Sequence, residues 1–350
     1  MIKLIKDHFY KFLAVICLLI LDVYVVILAL TPANMDITAP GGLNEVKSVI
    51  EADTNTNIKG SFNTIYVYSI ERASILQTYV ASLANYNEVS DSSTIFHLSK
   101  EESKKSGVVQ KNQSIEASLI CAYNYANKVN SNIHLDYALT GFIVRNYQIN
   151  HNIFKIGDLI TKVYDKEADK TITIQTPNDL YKKISPSNLK VGDVITYLRD
   201  GNEYSKPITT EFEYYEKANY FYVYPKYQIN RETANPSYTL HQANTLGPSG
   251  GLLQTLSVYS QISGIDLTYG KKIAGTGTID VVGNVGIIGG VSQKIVTAIH
   301  NGADVFLCPE ANYEEALKTY NKTPGHKKMK LIMVRTFEEA VLKLGEMYGN

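Results

Sequence analysis

The sequence predicts a chain that mixes helices and strands in three parts, and three observations say so. Phe12 to Leu30 is an apolar run long enough to cross a bilayer. From about Asp136 the chain becomes strand-rich, with β-favouring residues in alternation. From Ser237 onward strand patterns and helix patterns alternate, which indicates layered α and β structure.

The 350 residues leave room for two or three domains. The 34 basic and 34 acidic side chains balance, so nothing suggests a nucleic-acid partner. Three cysteines, Cys17, Cys121 and Cys308, make no disulfide framework, and the last two read as small core residues. No His, Cys or Glu set has metal-ligand spacing, and no cofactor is implied. Gly275-Thr276-Gly277 lacks the third glycine of a dinucleotide site. Gly270-Lys271-Lys272 lacks the spacing and hydroxyl of a phosphate loop.

At the N-terminus, Lys3, Lys6 and Lys11 precede the apolar run, and Asp36, Glu45 and Glu51 follow it. Positive charge stays inside, so residues 1–11 are expected in the cytoplasm, 12–31 in the membrane and the rest outside the cytoplasm. Asp22 costs about 2.5–3.5 kcal/mol at a bilayer centre, which the surrounding Leu, Ile and Val can absorb. A cleaved signal peptide is the rival. The run exceeds a usual signal core, and Thr31-Pro32-Ala33 is a poor cleavage site, so a retained anchor is expected. Ile16 before Cys17 is too large for a lipoprotein signal.

Residues 32–135 read as a linker followed by an N-terminal α/β region. Ala33 to Lys59 is a polar linker, Ser61 to Tyr68 a strand and Glu71 to Leu83 a helix. Asn85 to Asn112 reads as loop-rich and Ser114 to Lys128 as a second helix. None of these carries visible chemistry. In residues 136–208, Phe154-Lys155-Ile156-Gly157-Asp158 and Leu189-Lys190-Val191-Gly192-Asp193 echo one another. Each is a turn feeding a strand, with a helix expected between them from Thr176 to Ile184. The tyrosine-rich stretch Glu211 to Tyr227 has too few interleaved basic residues for a base-stacking platform. It reads as strands of the C-terminal domain, residues 209–350. Ser237 to His241 is the strand leading into the serine turn.

In that domain, Gly247-Pro248-Ser249-Gly250-Gly251 precedes Leu252, Leu253, Leu256, Tyr259 and Ile262, an apolar stripe of helical spacing that stops at Gly264. Ser249 therefore stands at a helix start. Pro248 has no N–H to leave unpaired there, and the flanking glycines allow a sharp turn and close approach of a substrate. Free N–H groups at a helix start favour developing negative charge, such as a tetrahedral oxyanion. Read alone, Ser249 is an N-cap in a glycine-rich turn. As a nucleophile it needs a base, and the seven histidines form no obvious set.

Gly289-Gly290-Val291-Ser292-Gln293-Lys294 opens a second helix that stops at Asn301-Gly302. Lys294 has Ile287, Ile288, Val291, Ile295 and Val296 around it in sequence. Burial lowers a lysine pKa by up to about 3–5 units, and the positive end of a helix also favours the neutral amine. Read alone, Lys294 is a surface lysine.

Together these motifs resemble the proteolytic domain of the Lon family. That family has a Gly-Pro-Ser-Ala-Gly serine motif, a Thr-Gly strand and a Gly-Gly-x-x-x-Lys helix start, in this order. Here the counterparts are Gly247 to Gly251, Thr276-Gly277 and Gly289 to Lys294. Gly302-Ala303-Asp304-Val305 and Leu307-Cys308-Pro309 follow, like the family's next strand. The resemblance implies a catalytic pair of Ser249 and Lys294, with Thr276 as a hydrogen-bond partner of the lysine and Gly247, Pro248 and Gly250 supporting the turn. It also implies an α+β fold like the second domain of ribosomal protein S5. Gly250 stands in place of the usual alanine. Leu246 stands where many ATP-dependent members have aspartate. No ATPase module is present in the sequence. Residues 136–208 resemble a PDZ domain, which binds peptide ends by strand addition, and Leu139-Thr140-Gly141-Phe142 is its candidate carboxylate loop.

The reading that follows is an ATP-independent membrane-anchored serine endopeptidase acting on flexible or misfolded extracytoplasmic or membrane proteins. Its partners are peptide or protein substrates, received in part by the PDZ-like domain, and the membrane. A homo-oligomer stays open. The alternative is a catalytically inactive, membrane-tethered peptide-binding scaffold. A signal-peptidase-like enzyme would share the serine, the lysine and the anchor, but local motifs do not support it.

Overall fold

The computed structural model of the chain describes residues 8–92, 98–147, 154–179, 188–209 and 221–348. It divides into two compact units, Met1–Gly41 with Val67–Ser93, and Gly42–Tyr66 with Thr94–Asn350.

The smaller unit begins with helix α1, Phe9–Leu30, whose mean hydropathy over 18 residues is 3.0 and none of whose residues is buried. By length and composition α1 fits a membrane anchor or an N-terminal signal. The stretch expected as a polar linker instead carries strand β1, Pro32–Glu45. Its outer half pairs antiparallel with β4, Glu88–Asp91, from Met35 opposite Asp91 to Thr38 opposite Glu88. Strand β3 runs from Ser61 to Ser74, beyond its expected end. Helix α2, Ile75–Ser82, follows directly, because Ser74 and Gln77 form a reciprocal capping box. Ile37, Ala73 and Ala81, with Val89 against them, form this unit's own small core.

The larger unit is built on a parallel sheet. Strands β12 (Lys272–Gly275), β15 (Val305–Pro309) and β16 (Lys330–Val334) run parallel, and the inner half of β3 joins beside β12, Phe62 opposite Ile273 and Thr64 opposite Gly275. Alternation sorts their side chains. Phe62, Ile273, Val305, Leu307, Ile332 and Val334 share one core with helices α3 (Lys100–Val129), α4 (Gly251–Ser263) and α7 (Phe337–Tyr348). Ile65, Ala274, Phe306 and Cys308 share another with α5 (Val291–His300) and α6 (Tyr313–Lys322). Helix α4 is buried on every side, so its Leu252, Leu253, Leu256 and Ile262 each contribute about 1.5–3 kcal/mol of burial. Thr336 caps α7, its hydroxyl accepting from the Glu339 N–H at 3.1 Å.

The sequence separates residues 32–135 from 209–350, but the packing joins them. Strand β3 is a member of the sheet, and α3 lies in the core beside α4. Helix α3 also corrects the loop expected up to Asn112. It begins at Lys100, behind a capping box of Ser99 and Glu102, and runs 30 residues. A strand's partner and a helix's neighbour are decided by residues far away in sequence, which local periodicity cannot report.

The middle of the chain forms an antiparallel sheet in the order β10 (Phe221–Asn235), β5 (His134–Tyr147), β6 (Leu159–Asp165), β8 (Val194–Arg199), β9 (Asn202–Pro207), with β7 (Lys170–Thr173) beside β6. Phe142, Val144, Phe154, Ile160, Val163, Ile195, Tyr197 and Phe221 are among its core residues. The sequence echo is one turn used twice. Asp158 accepts from the Lys155 N–H at 2.7 Å and Asp193 from the Lys190 N–H at 3.0 Å, after Gly157 and Gly192 at φ 96° and 98°. Only glycine enters that backbone region without strain.

Two expectations fail here. Leu139-Thr140-Gly141-Phe142 is no loop; it lies inside β5, with Phe142 opposite both Pro225 and Ile160. The part of the tyrosine-rich stretch that is described, from Phe221, pairs with β5 and not with the parallel sheet. The helix expected from Thr176 to Ile184 lies largely outside the described residues.

Candidate active site

The serine turn joins a short strand, β11 (Tyr238–Leu240), to α4. Gly247 turns at φ 86° and its N–H donates to the Gly107 carbonyl at 3.0 Å. Ser249 is half-buried, two residues before the first residue of α4, and Gly250 caps the helix. Helix α4 ends at Gly264, φ 75°. A Cβ on Gly250, as alanine would bring, stands 3.0 Å from Thr64 Cγ2, so the glycine fits a tight contact with β3.

Lys294 lies in the first turn of α5, after Gly290 at φ 67°, and its N–H donates to the Gly290 carbonyl at 3.1 Å. Its side chain is 3% exposed. Val291 and Ile295 on the same helix are fully buried with it. Loss of hydration holds the amine down at about 8, well below the ordinary lysine value. Among the described residues no carboxylate pairs with it.

Thr276 connects the two. It is fully buried just beyond the end of β12, with its own N–H on the Leu307 carbonyl at 3.1 Å. The Lys294 amine donates to Thr276 Oγ1 at 3.1 Å, and Thr276 Oγ1 donates to the Ser249 carbonyl, also at 3.1 Å. The Gly277 N–H donates to the same carbonyl at 2.9 Å, and the Leu252 N–H returns to the Gly277 carbonyl at 3.1 Å. The hydroxyl has one proton, which goes to Ser249. Its lone pair must then face the lysine, which gives up one N–H to it. A neutral amine held this way keeps its own lone pair for another proton. Under a general-base role for Lys294, Thr276→Val is expected to slow cleavage about 10–100-fold by releasing the amine, with Thr276→Ser restoring most of it, in a peptidase assay of both variants.

The sequence reading missed what lies beneath the turn. Gly107, Lys111, Ser114 and Ser118 recur at intervals of four, three and four along α3, one face of a helix. Each touches the serine loop. Lys111 Nζ donates to the Ala243 carbonyl at 2.9 Å, Ser114 Oγ to the Pro248 carbonyl at 2.9 Å, and Ser118 Oγ to the Gly251 carbonyl at 3.1 Å. With the Gly107 carbonyl on the Gly247 N–H, four contacts hold the loop to α3. The signal was a stripe of small and polar residues, which a search for apolar periodicity passes over. The other sequence-derived residues fall apart from this cluster in role. Leu246 is exposed. Cys308 and Cys121 are buried, and desolvation pushes both thiols up to about 12, so they are inert packing groups.

This cluster brings together a half-buried serine at a helix start, a buried amine of lowered basicity and a threonine bonded to both segments; among the described residues no hydrogen bond joins the Ser249 hydroxyl to the Lys294 amine. It lies wholly in a segment with a known counterpart: residues 243–345 match the family model of the Lon protease (S16) C-terminal proteolytic domain, which implies a serine peptidase.

Proposed function

We propose that the chain is an ATP-independent serine endopeptidase in which Ser249 is the nucleophile and Lys294 its general base. The observation that carries this reading is the buried Lys294 amine, unpaired with any described carboxylate and bonded through Thr276 to the segment that bears Ser249. Neutral Lys294 takes the Ser249 hydroxyl proton as Oγ bonds to the peptide carbonyl carbon. It returns the proton to the leaving amine when the C–N bond breaks, leaving an acyl-enzyme. Water then cleaves the ester with the lysine again as base. Backbone N–H groups at the start of α4 stabilise the oxyanion.

In this reading α1 is a retained anchor with its N-terminus cytoplasmic and the catalytic unit outside. The support is the basic residues Lys3 and Lys6 before it, Lys11 in its first turn, and acidic residues after it. The substrates in this reading are flexible or misfolded extracytoplasmic or membrane proteins, which need no unfolding before cleavage. The PDZ-like antiparallel sheet receives them as extended peptides.

The test is cleavage of an unstructured protein by the full chain in vesicles without nucleotide, beside Ser249→Ala. The same preparations are treated with a serine-directed phosphonate. The parent should cleave and be labelled at Ser249, and the variant should do neither. Equal cleavage by both, or labelling elsewhere, would sink the assignment. A parent that neither cleaves nor takes label is the tethered scaffold.

A further inference from the structure

We propose that the exposed face of α2 is a second membrane contact, seated in the headgroup region of the bilayer beside the end of α1. The inference rests on the reading of α1 as a retained anchor. Its evidence lies entirely within the smaller unit.

Helix α2 and its C-terminal cap present Ile75, Tyr79, Val80 and Leu83 to solvent, Tyr79 at 63% and Leu83 at 67% exposure. Positions 75, 79 and 83 recur every four residues and form one stripe, which Val80 widens. The opposite side is occupied, since Ala81 packs with Ile37 and Ala73. From Ala73 to Asn87 the sequence has no Asp, Glu, Lys or Arg. A contiguous apolar face without a charge marks an interaction surface, unlike single apolar residues scattered over a protein.

The occupant follows from continuity with α1. The 22 residues of α1 span about 33 Å at 1.5 Å per residue, close to a hydrocarbon core of about 30 Å. Thr31, at its end, therefore comes to the membrane surface. The Thr31 carbonyl accepts from the Ile75 N–H at 2.9 Å, so α2 starts where α1 leaves the hydrocarbon. The two helices touch. A tyrosine with an apolar ring and a polar tip suits that depth, as do uncharged Gln77, Ser82 and Asn85 around it. The consequence is a fixed attachment: α1 alone leaves the smaller unit free to turn about the helix axis, and a second contact removes that freedom.

The chain contains no tryptophan, so a single introduced one reports its own surroundings. The full chain carrying Tyr79→Trp, and separately Leu19→Trp within α1, is reconstituted in phosphatidylcholine vesicles whose lipids bear bromine near the carbonyl region or near the chain ends. For Tyr79→Trp, shallow bromines should quench at least about twofold more strongly than deep ones, matching a site about 5–10 Å into the headgroup boundary. Leu19→Trp should show the reverse order. Adding Val80→Asp and Leu83→Asp to the Tyr79→Trp chain should abolish its quenching. Quenching of Leu19→Trp alone overturns the proposal and leaves the anchor standing. Quenching of neither overturns the anchor and the proposal with it. A Tyr79→Trp signal that is unquenched but blue-shifted, and lost on dilution among excess vesicles, assigns the face to a second copy of the chain and overturns the lipid contact. Quenching that survives the two aspartates also overturns it.

Discussion

Replacing Lys294 by methionine is expected to slow cleavage about 10²–10⁴-fold, the usual contribution of a positioned base, and at pH 7 to make the protein more stable. The two effects share one cause. Burial holds the amine at about 8, so the folded state resists a proton that the unfolded chain binds up to about pH 10.4. Each pKa unit is about 1.4 kcal/mol, so below pH 8 the buried charge costs the parent fold about 3 kcal/mol. Methionine of similar length removes that cost and forfeits the hydrogen bond to Thr276, about 1 kcal/mol. The net gain at pH 7 is about 1–2 kcal/mol. Its pH dependence has a definite sign. Between pH 8 and about 10.4 the unfolded parent binds more protons than the folded one, so parent stability rises with pH across that window. The advantage of the variant fades over the same range. With Lys294 as the proposed base, activity of the parent should follow the neutral amine, about a tenth of the population at pH 7 and half at pH 8. Cleavage should thus rise nearly tenfold per pH unit below about pH 7, about fivefold from pH 7 to 8, and level off by about pH 9. Urea unfolding of both proteins at pH 7 and pH 10, beside a pH–rate profile, measures all of this. A variant less stable than the parent at pH 7 would show that the lysine is not desolvated as described.

Gly251→Ala is expected to destabilise the fold by about 1–3 kcal/mol, although alanine is intrinsically the better helix residue by up to about 1 kcal/mol. The added Cβ would stand 2.8 Å from Ile279 Cγ2, 2.9 Å from the Ile279 backbone nitrogen and 3.0 Å from Ser114 Oγ. The first residue of α4 is wedged between a strand and α3, and a backbone atom cannot swing away as a flexible side chain can. Relief must come from moving the start of α4, which carries Ser249. A shift near 1 Å there costs about 10²-fold in rate. Gly289→Ala is the control, since nothing lies within 4 Å of its Cβ, and its stability should change by less than about 0.5 kcal/mol. Denaturation midpoints and cleavage rates of the two variants decide the matter. Equal stability would mean that the helix start yields freely.

What can be read from the sequence is what neighbouring residues settle among themselves. Glycine stops and apolar spacing locate α4 and α5, and so place Ser249 and Lys294 at two helix starts. A long apolar run interrupted by Asp22 defines α1, and a repeated Lys-x-Gly-Asp turn marks two strands of the antiparallel sheet. Each signal is complete within about twenty residues, because caps, turns and periodicity act over that distance. Tertiary structure decides the rest. It lays β3 against β12, turns the expected polar linker into β1, and pairs the strand from Phe221 with β5. It also sets α3 under the serine loop, where Ser114 and Ser118 hold carbonyls without any apolar signature. Above all it buries Lys294 and turns its amine toward Thr276. Sequence shows apolar neighbours around that lysine, but desolvation is a property of everything packed on it, and only the fold assembles that shell.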